Sequence, residues 1–502
     1  NRMKRRLFAL ALALLLAVSL PVSALAGEWF IDGGDIIINA TADGKQTVKQ
    51  GNNGAVEDAA PVIKQRESST STDRVIKVIA EEDATANVTL DGVNIDTSKT
   101  GIIGRDQSAL RTEGDGDVNI ELDGDNYLKS SFASHAAGLN KGNSGTLTIN
   151  DEDNNGELEA VGGYYSAGIG GGYHSSASDI TITGGTITAR GASGGAGIGG
   201  GNQGSGNNIT ISGGKVTANG GGEGSAGIGG GYWASGSNIT ISGGEVEATG
   251  GTLGAGIGGG RNCAGSNIEI SGGNVTAKGG VGGAGIGGGA YGGTGSDISI
   301  SGDAKVKVQG GEADNYYYDT GTGAGIGNGG TYTAIPEDDD GDDYTRILVD
   351  GDEVKPDTSG LTENGRLEYY APGADMEKDY PDKVIENKPE MGAQPGASAP
   401  VYSVTDKDGN AVSYTAAREG GVLTIRVDAA YARLTLTADE AQALTAQSVE
   451  KVVFITTGAT SAFRPAGLTA YASEAPFVLT HDGETVTFTA GETDLASLLL
   501  QA

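Results

Sequence analysis

The chain has 502 residues, 65 acidic against 33 basic, for a formal charge of −32, with 90 glycines and one cysteine. That balance argues against nucleic acid and anionic membranes as partners, and against polyanions unless a divalent cation bridges the two. A lone Cys263 excludes an internal disulfide framework, so stability must rest on packing and on any bound ions.

The first segment, MKRRLFALALALLLAVSLPVSALA, places basic residues Lys4–Arg6 before an apolar run from Leu7 to Leu20 and a small-residue site at Ala24 to Ala26. It reads as a secretory signal over 1–26, with the mature chain starting near Gly27. The expected location is therefore extracellular or at the cell surface, with no membrane span after cleavage. Residues 27–95 are less regular. WFIDGGDIIINA and RVIKVIAEEDATANVTLDGVNID read as strands of the capping coils that a solenoid needs at its open end.

A repeat then takes over. AGIGGGYHSSASDITITGGTITA at 167–189 returns at 196–218, 226–248, 255–277 and 284–308. Its first isoleucine falls at Ile169, Ile198, Ile228, Ile257, Ile286 and Ile326, in steps of 29, 30, 29, 29 and 40 residues. Degenerate copies place Leu139 and Leu110 in the same register. Such self-similarity marks a solenoid. Each copy holds three short strand-like pieces, of types AGIG, NITIS and KVTA. In the second piece Ile180 and Ile182, Ile209 and Ile211, and Ile239 and Ile241 alternate with Thr and Ser, one face in and one face out. The pattern predicts a right-handed parallel β-helix over 27–350, three strands per coil of about 30 residues, stacked at about 4.8 Å. Two Gly-rich breaks per repeat and no apolar residues at helical spacing exclude a helical solenoid. Ile180, Ile209, Ile239, Ile268 and Ile298 should form one internal ladder. Asp179, Asn208, Asn238, Asn267 and Asp297 should stack at a turn and bridge coils through their side chains.

Residues 351–400, rich in Pro, Gly and charge, read as a linker. A small α+β domain is expected over 401–502. It begins with a hairpin around Asp408-Gly409, continues through VLTIRVDA, and opens a helix with a capping-box spacing at Thr437 to Glu440. Strands at VEKVVFITT and ETVTFTA and a helix at DLASLLLQ complete it.

The run ANVTLDGVNIDTSKTG, SALRTEGDGDVNIELDGDNYL, LTINDEDNNGELEAVGG and DITITGGTITA resembles a secreted bacterial β-helix family of calcium-binding carbohydrate-binding domains, over roughly 75–310. The resemblance implies a polysaccharide-lyase-like fold used for binding. The long AGIGGG series departs from that family's usual coils.

Two features of the residues themselves point the same way. The loop after AGIGGG carries Tyr173 and His174, then Asn202 and Gln203, then Tyr232 and Trp233, then Arg261 and Asn262, then Tyr291, with Tyr164, Tyr165 and Tyr316–Tyr318 before AGIG. Stacking would line these up along one edge. Sugar rings offer apolar faces rimmed by hydroxyls, which flat rings and amides suit. The alternative role for the rings is to cover glycine corners. Second, Asp151, Asp153, Asn155 and Gly156 match the first half of a D-x-[DN]-x-[DN]-G calcium loop, without its closing glutamate. Asp338, Asp340 and Asp342 lie in a denser acidic run, EDDDGDD. Solvated acidic turns are the plainer reading of both. A lyase or hydrolase would need carboxylates at a fixed separation, or a base beside clustered ligands. The outward positions Lys215, Glu245, Glu247 and Lys305 make no such constellation. The expectation is a non-catalytic, secreted or cell-surface protein that binds polysaccharide or surface glycan, possible calcium assistance included. Alternatives are an adhesin stalk that presents the C-terminal domain and, further off, an enzyme or an ice-binding solenoid built on the Thr/Ser ranks.

Overall fold

The computed structural model describes residues 26–100, 107–315, 317–336 and 344–386, and in the C-terminal unit 402–406, 412–419, 421–427, 432–436, 444, 449–455, 460–463, 477–481 and 486–490. The expected signal segment lies outside them up to residue 25. Two compact units are present, Asn1–Pro389 and Glu390–Ala502.

The first unit is an all-β parallel solenoid. Its strands gather in three sheets of ten, ten and twelve strands, almost every pairing joining one coil to the next. The reason is visible in the burial pattern. In Gly206–Ile211, and in its equivalents one coil away, the isoleucines point inward and the Thr, Ser and Asn side chains outward. Ile180, Ile209, Ile239, Ile268 and Ile298 pair in sequence as one internal ladder, as expected. A second ladder joins Ile187, Val216, Val246, Val275 and Val306. A third runs through Ile169, Ile198, Ile228, Ile257, Ile286 and Ile326, all without exposed surface. Each coil thus contributes few apolar atoms, but stacking makes them a continuous core.

Glycine is obligatory at one corner. Gly170, Gly199, Gly229, Gly258, Gly287 and Gly327 share φ between 130° and 143°. A Cβ on Gly229 would lie 2.1 Å from the Gly258 carbonyl oxygen of the next coil. Side chains would force the coils apart there.

The Asp/Asn column forms, with one difference of place. Asp179, Asn208, Asn238, Asn267 and Asp297 sit inside the NITI strands rather than at a turn, and the inter-coil register skips each of them. Each has φ between 51° and 59°, a bulge that Asn and Asp tolerate better than other residues. The amide of Asn208 donates to Asp179 at 3.0 Å and that of Asn238 to Asn208 at 3.0 Å, while Asn267 donates to Asn238.

Both ends are closed. At the N-terminal end Gln46–Gln50 pairs antiparallel with Ile36–Ala40, stopping the AGIG sheet. At the other end the solenoid runs past the expected boundary at 350, and of the expected linker, residues 351–386 belong to the stack, while 387–400 lie outside the described residues. Arg366–Tyr370 adds a parallel strand to Lys305–Gln309, with Leu367 and Tyr369 buried, and Lys383–Glu386 closes that sheet antiparallel. The prolines and charges of this stretch masked the alternation in RLEYY. The Glu353 carboxylate accepts the Gly325 N–H at 2.6 Å and the Ile326 N–H at 3.3 Å. It thereby replaces the carbonyls that a further coil would supply, and blunts an open edge.

In the second unit the described residues form two four-stranded sheets. Strands appear at Val422–Arg426, Lys451–Ile455 and Val486–Ala490 as expected. The turn of the expected hairpin at Asp408-Gly409 lies outside the described residues; beyond it Ser403–Thr405 also pairs with Ala432–Leu436, and Thr415–Glu419 pairs with Val422–Arg426. Among the described residues the two arms meet where the Val412 N–H donates to the Val404 carbonyl at 2.9 Å and the Tyr402 N–H donates to the Tyr414 hydroxyl at 2.7 Å. Most of the expected helix after Thr437, and all of that at DLASLLLQ, lie outside the described residues.

Candidate functional site

The edge beside the AGIG sheet is built from two loops per coil. The loop after AGIGGG hydrogen-bonds to the loop before AGIG of the preceding coil. Tyr173 N–H reaches the His135 carbonyl at 2.9 Å, Asn202 N–H reaches Tyr165, Tyr232 N–H reaches Gly194 and Arg261 N–H reaches Gly224. Stacking therefore sets the sequence-predicted residues in one row, in two ring-bearing groups with Gln203 between them.

The N-terminal group joins Tyr173 to residues from earlier in the chain. Its ring lies 3.7 Å from His174, 5.3 Å from Tyr165 and 5.3 Å from His135, centroid to centroid. Tyr164 packs on Tyr165 at 3.8 Å and on Phe132 at 4.5 Å. A hydrogen bond with Tyr164, helped by burial, pushes the Tyr165 hydroxyl up to about 12. Phe132 is 64% exposed, a large apolar ring with no core to cover.

The second group is organised by Arg261. Its Nη1 donates to the Tyr232 hydroxyl at 2.9 Å, and its guanidinium carbon lies 4.4 Å from the Tyr291 ring, 5.8 Å from Tyr232 and 5.9 Å from Trp233. Such cation–π contacts hold rings and guanidinium as one surface. Tyr291 meets Tyr332 edge-on at 6.3 Å, donates its hydroxyl to the Tyr318 carbonyl, and has its pKa raised by burial. Arg346 lies 5.0 Å over the Tyr332 ring and pairs with Asp319. Phe132, His135, Tyr332 and Arg346 were not singled out from the sequence. Exposed aromatics in Gly- and Ser-rich loops were the available signal for the first two. Tyr332 and Arg346 face each other only through the antiparallel pairing of Thr331–Pro336 with Tyr344–Val349.

One backbone feature unites the row. His174, Gln203, Trp233, Asn262 and Tyr291 have φ of 58°, 60°, 59°, 57° and 68°. This left-handed conformation is unusual for bulky residues and costs roughly 1 kcal/mol. Glycine fills many other positive-φ positions in this chain at no such cost. Trp233 is nevertheless kept there, 53% exposed.

The acidic candidate lies on the outward face of the NITI sheet, nearer the N-terminus. Ligand oxygens of Glu121, Asp151 and Asp153 fall within 4.8 Å of one another. Asp151 is largely buried and accepts the N–H groups of Asn155 at 3.1 Å and Gly156 at 3.0 Å. Glu121 accepts the Glu152 N–H at 2.7 Å. The Asn155 amide donates to Asp153 at 2.8 Å and so buttresses the carboxylates. Burial first, then the neighbouring Glu152, Asp123 and Asp151 carboxylates, raise the Glu121 pKa; burial and Asp153 raise that of Asp123. Glu121 was missed because it comes from the preceding coil. Asp338, Asp340 and Asp342 lie outside the described residues.

A family model described as Beta helix repeat matches residues 154–173, 180–202, 209–232, 239–261 and 268–290. Comparison with curated proteins gives no match, and comparison with solved structures gives none. The matched segments end at Tyr173, Asn202, Tyr232, Arg261 and Ala290, so the likeness to Beta helix repeat proteins covers the coils that build the edge.

Proposed function

We propose that this chain is an exported, non-catalytic carbohydrate-binding protein that takes polysaccharide along the edge running from Tyr173 to Tyr291. The working fold has three strands per coil, followed by a small α+β domain. The observation that carries the reading is the column of rings and amides held at positive φ in coils that use glycine freely elsewhere. Backbone strain retained at bulky, exposed side chains points to a use for those side chains. A β-helix is compatible with this role, and among the described residues no helix is long and apolar enough to cross a membrane.

Calcium is proposed for Glu121, Asp151 and Asp153. Hard carboxylate oxygens converge there, as calcium requires. Its contribution when bound is to tie two successive coils together.

The test is Trp233→Ala, assayed by polysaccharide pull-down and by melting. Binding should weaken by roughly 1–3 kcal/mol, the loss of one well-placed aromatic contact. The competing role, a stalk presenting the second compact unit, draws on the division of the chain into two units. It expects no glycan to bind, or stability to fall because Trp233 covers a glycine corner. Retained binding with lowered stability would end the reading of this edge as the glycan platform.

A further inference from the structure

The column has an order as well as a composition. Coil by coil it reads ring, amide, ring, amide, ring: His174, Gln203, Trp233, Asn262, Tyr291. Backbone bonds fix one residue per coil. His174 N–H donates to Asn202 at 2.9 Å, Gln203 N–H to Tyr232 at 2.8 Å, Asn262 N–H to Ala290 at 2.7 Å and Tyr291 N–H to Gly330 at 2.7 Å. Nearly equal φ gives the five residues the same left-handed backbone, one coil apart.

Coils stack at about 4.8 Å, so rings recur about every 10 Å with an amide midway. A ring takes the apolar face of a sugar, and an amide offers both donors and an acceptor to hydroxyls. The matching ligand must present an apolar face at every second unit, and a hydroxyl-bearing edge between. An unbranched polysaccharide in an extended, two-fold conformation does this, because alternate sugars turn the same face to one side. A coiled or branched glycan does not. With a formal charge of −32 on the protein, a neutral chain is favoured over a polyanionic one.

We propose that the edge holds an extended, unbranched, neutral polysaccharide parallel to the solenoid axis, its disaccharide repeat in register with two coils. This rests on the glycan-binding reading and adds orientation, phase and ligand class to it.

Coil deletion in the full chain isolates phase. Removing residues 204–233 joins Gln203 to Ala234, takes out Trp233, and leaves His174 and Tyr291 three coils apart. Removing 204–262 joins Gln203 to Cys263, also takes out Trp233, and leaves those rings two coils apart. Each coil contacts only its neighbours, so both deletions preserve the fold, which melting checks. The probes are cello-, xylo- and manno-oligosaccharides, with glycogen as the branched control. The two-coil deletion, despite losing more of the edge, should bind an oligosaccharide about tenfold more tightly than the one-coil deletion, the worth of one aromatic contact. A second variant keeps composition and length: the exchange of Gln203→Trp with Trp233→Gln moves one ring by a single coil and should lose binding similarly. Equal binding by the two deletions, or by the exchanged variant and wild type, overturns the phase inference while leaving glycan binding intact. Glycogen binding as well as the linear probes overturns the ligand class. No binding of any probe by wild type removes the underlying reading itself.

Discussion

Gly229→Ala tests the packing that stacks the coils. The added Cβ would stand 2.1 Å from the Gly258 carbonyl oxygen, where ordinary contact begins near 3.4 Å. That same oxygen accepts the Gly230 N–H at 2.9 Å, so relief of the clash must stretch or break a buried bond. Losing it costs about 1–3 kcal/mol. The backbone at φ 130° adds about 1–3 kcal/mol of strain for any residue with a side chain. Together these give about 2–6 kcal/mol, a large share of the 5–15 kcal/mol typical of a folded domain. Gly222, seven residues earlier, is the control. It is exposed, its φ is not in the left-handed region, and a Cβ there would meet nothing within 4 Å. Gly222→Ala should leave stability unchanged or raise it by about 0.4–1 kcal/mol. Urea unfolding of the two variants, with hydrogen exchange read at Ile228 and Ile257, makes the comparison. If Gly229→Ala falls within about 1 kcal/mol of Gly222→Ala, the close approach of coils at this corner is wrong.

The remaining predictions concern the two outward columns. Asn238 sits at φ 54° and both donates to and accepts from its neighbours, so Asn238→Ala should destabilise by about 1 kcal/mol and Asn238→Gly by less. Unfolding midpoints check the ranking, and Ala above Gly would contradict the left-handed backbone. Glu121 has a raised folded-state pKa, so its cost to stability is absent below the ordinary carboxylate value and grows as pH rises through the folded one. Glu121→Gln should therefore melt higher than wild type at neutral pH in chelator, with the gap closing towards about pH 4. Added calcium should raise the wild-type midpoint more than that of the variant. A variant that melts lower in chelator at neutral pH would refute the charge crowding.

The sequence alone determined the solenoid, because both of its periods are written locally. Alternation of Ile with Thr along one strand assigns inside and outside, and the recurrence of Ile169, Ile198 and Ile228 gives the coil. It also determined that rings and amides would share an edge, since stacking follows from recurrence. Tertiary structure decided what depends on register between distant residues. Glu121 reaches Asp151 and Asp153 only because its strand pairs Glu121 with Asn150. Arg261 becomes the centre of a group only because coils on either side carry Tyr232 and Tyr291 at hydrogen-bonding and stacking distance. Residues 351–386 look like linker by composition, yet they close the stack, because an open solenoid end leaves unpaired N–H groups that Glu353 and Arg366–Tyr370 satisfy. A period can be read from one strand of text. A partner one coil away is fixed only when the coils stack.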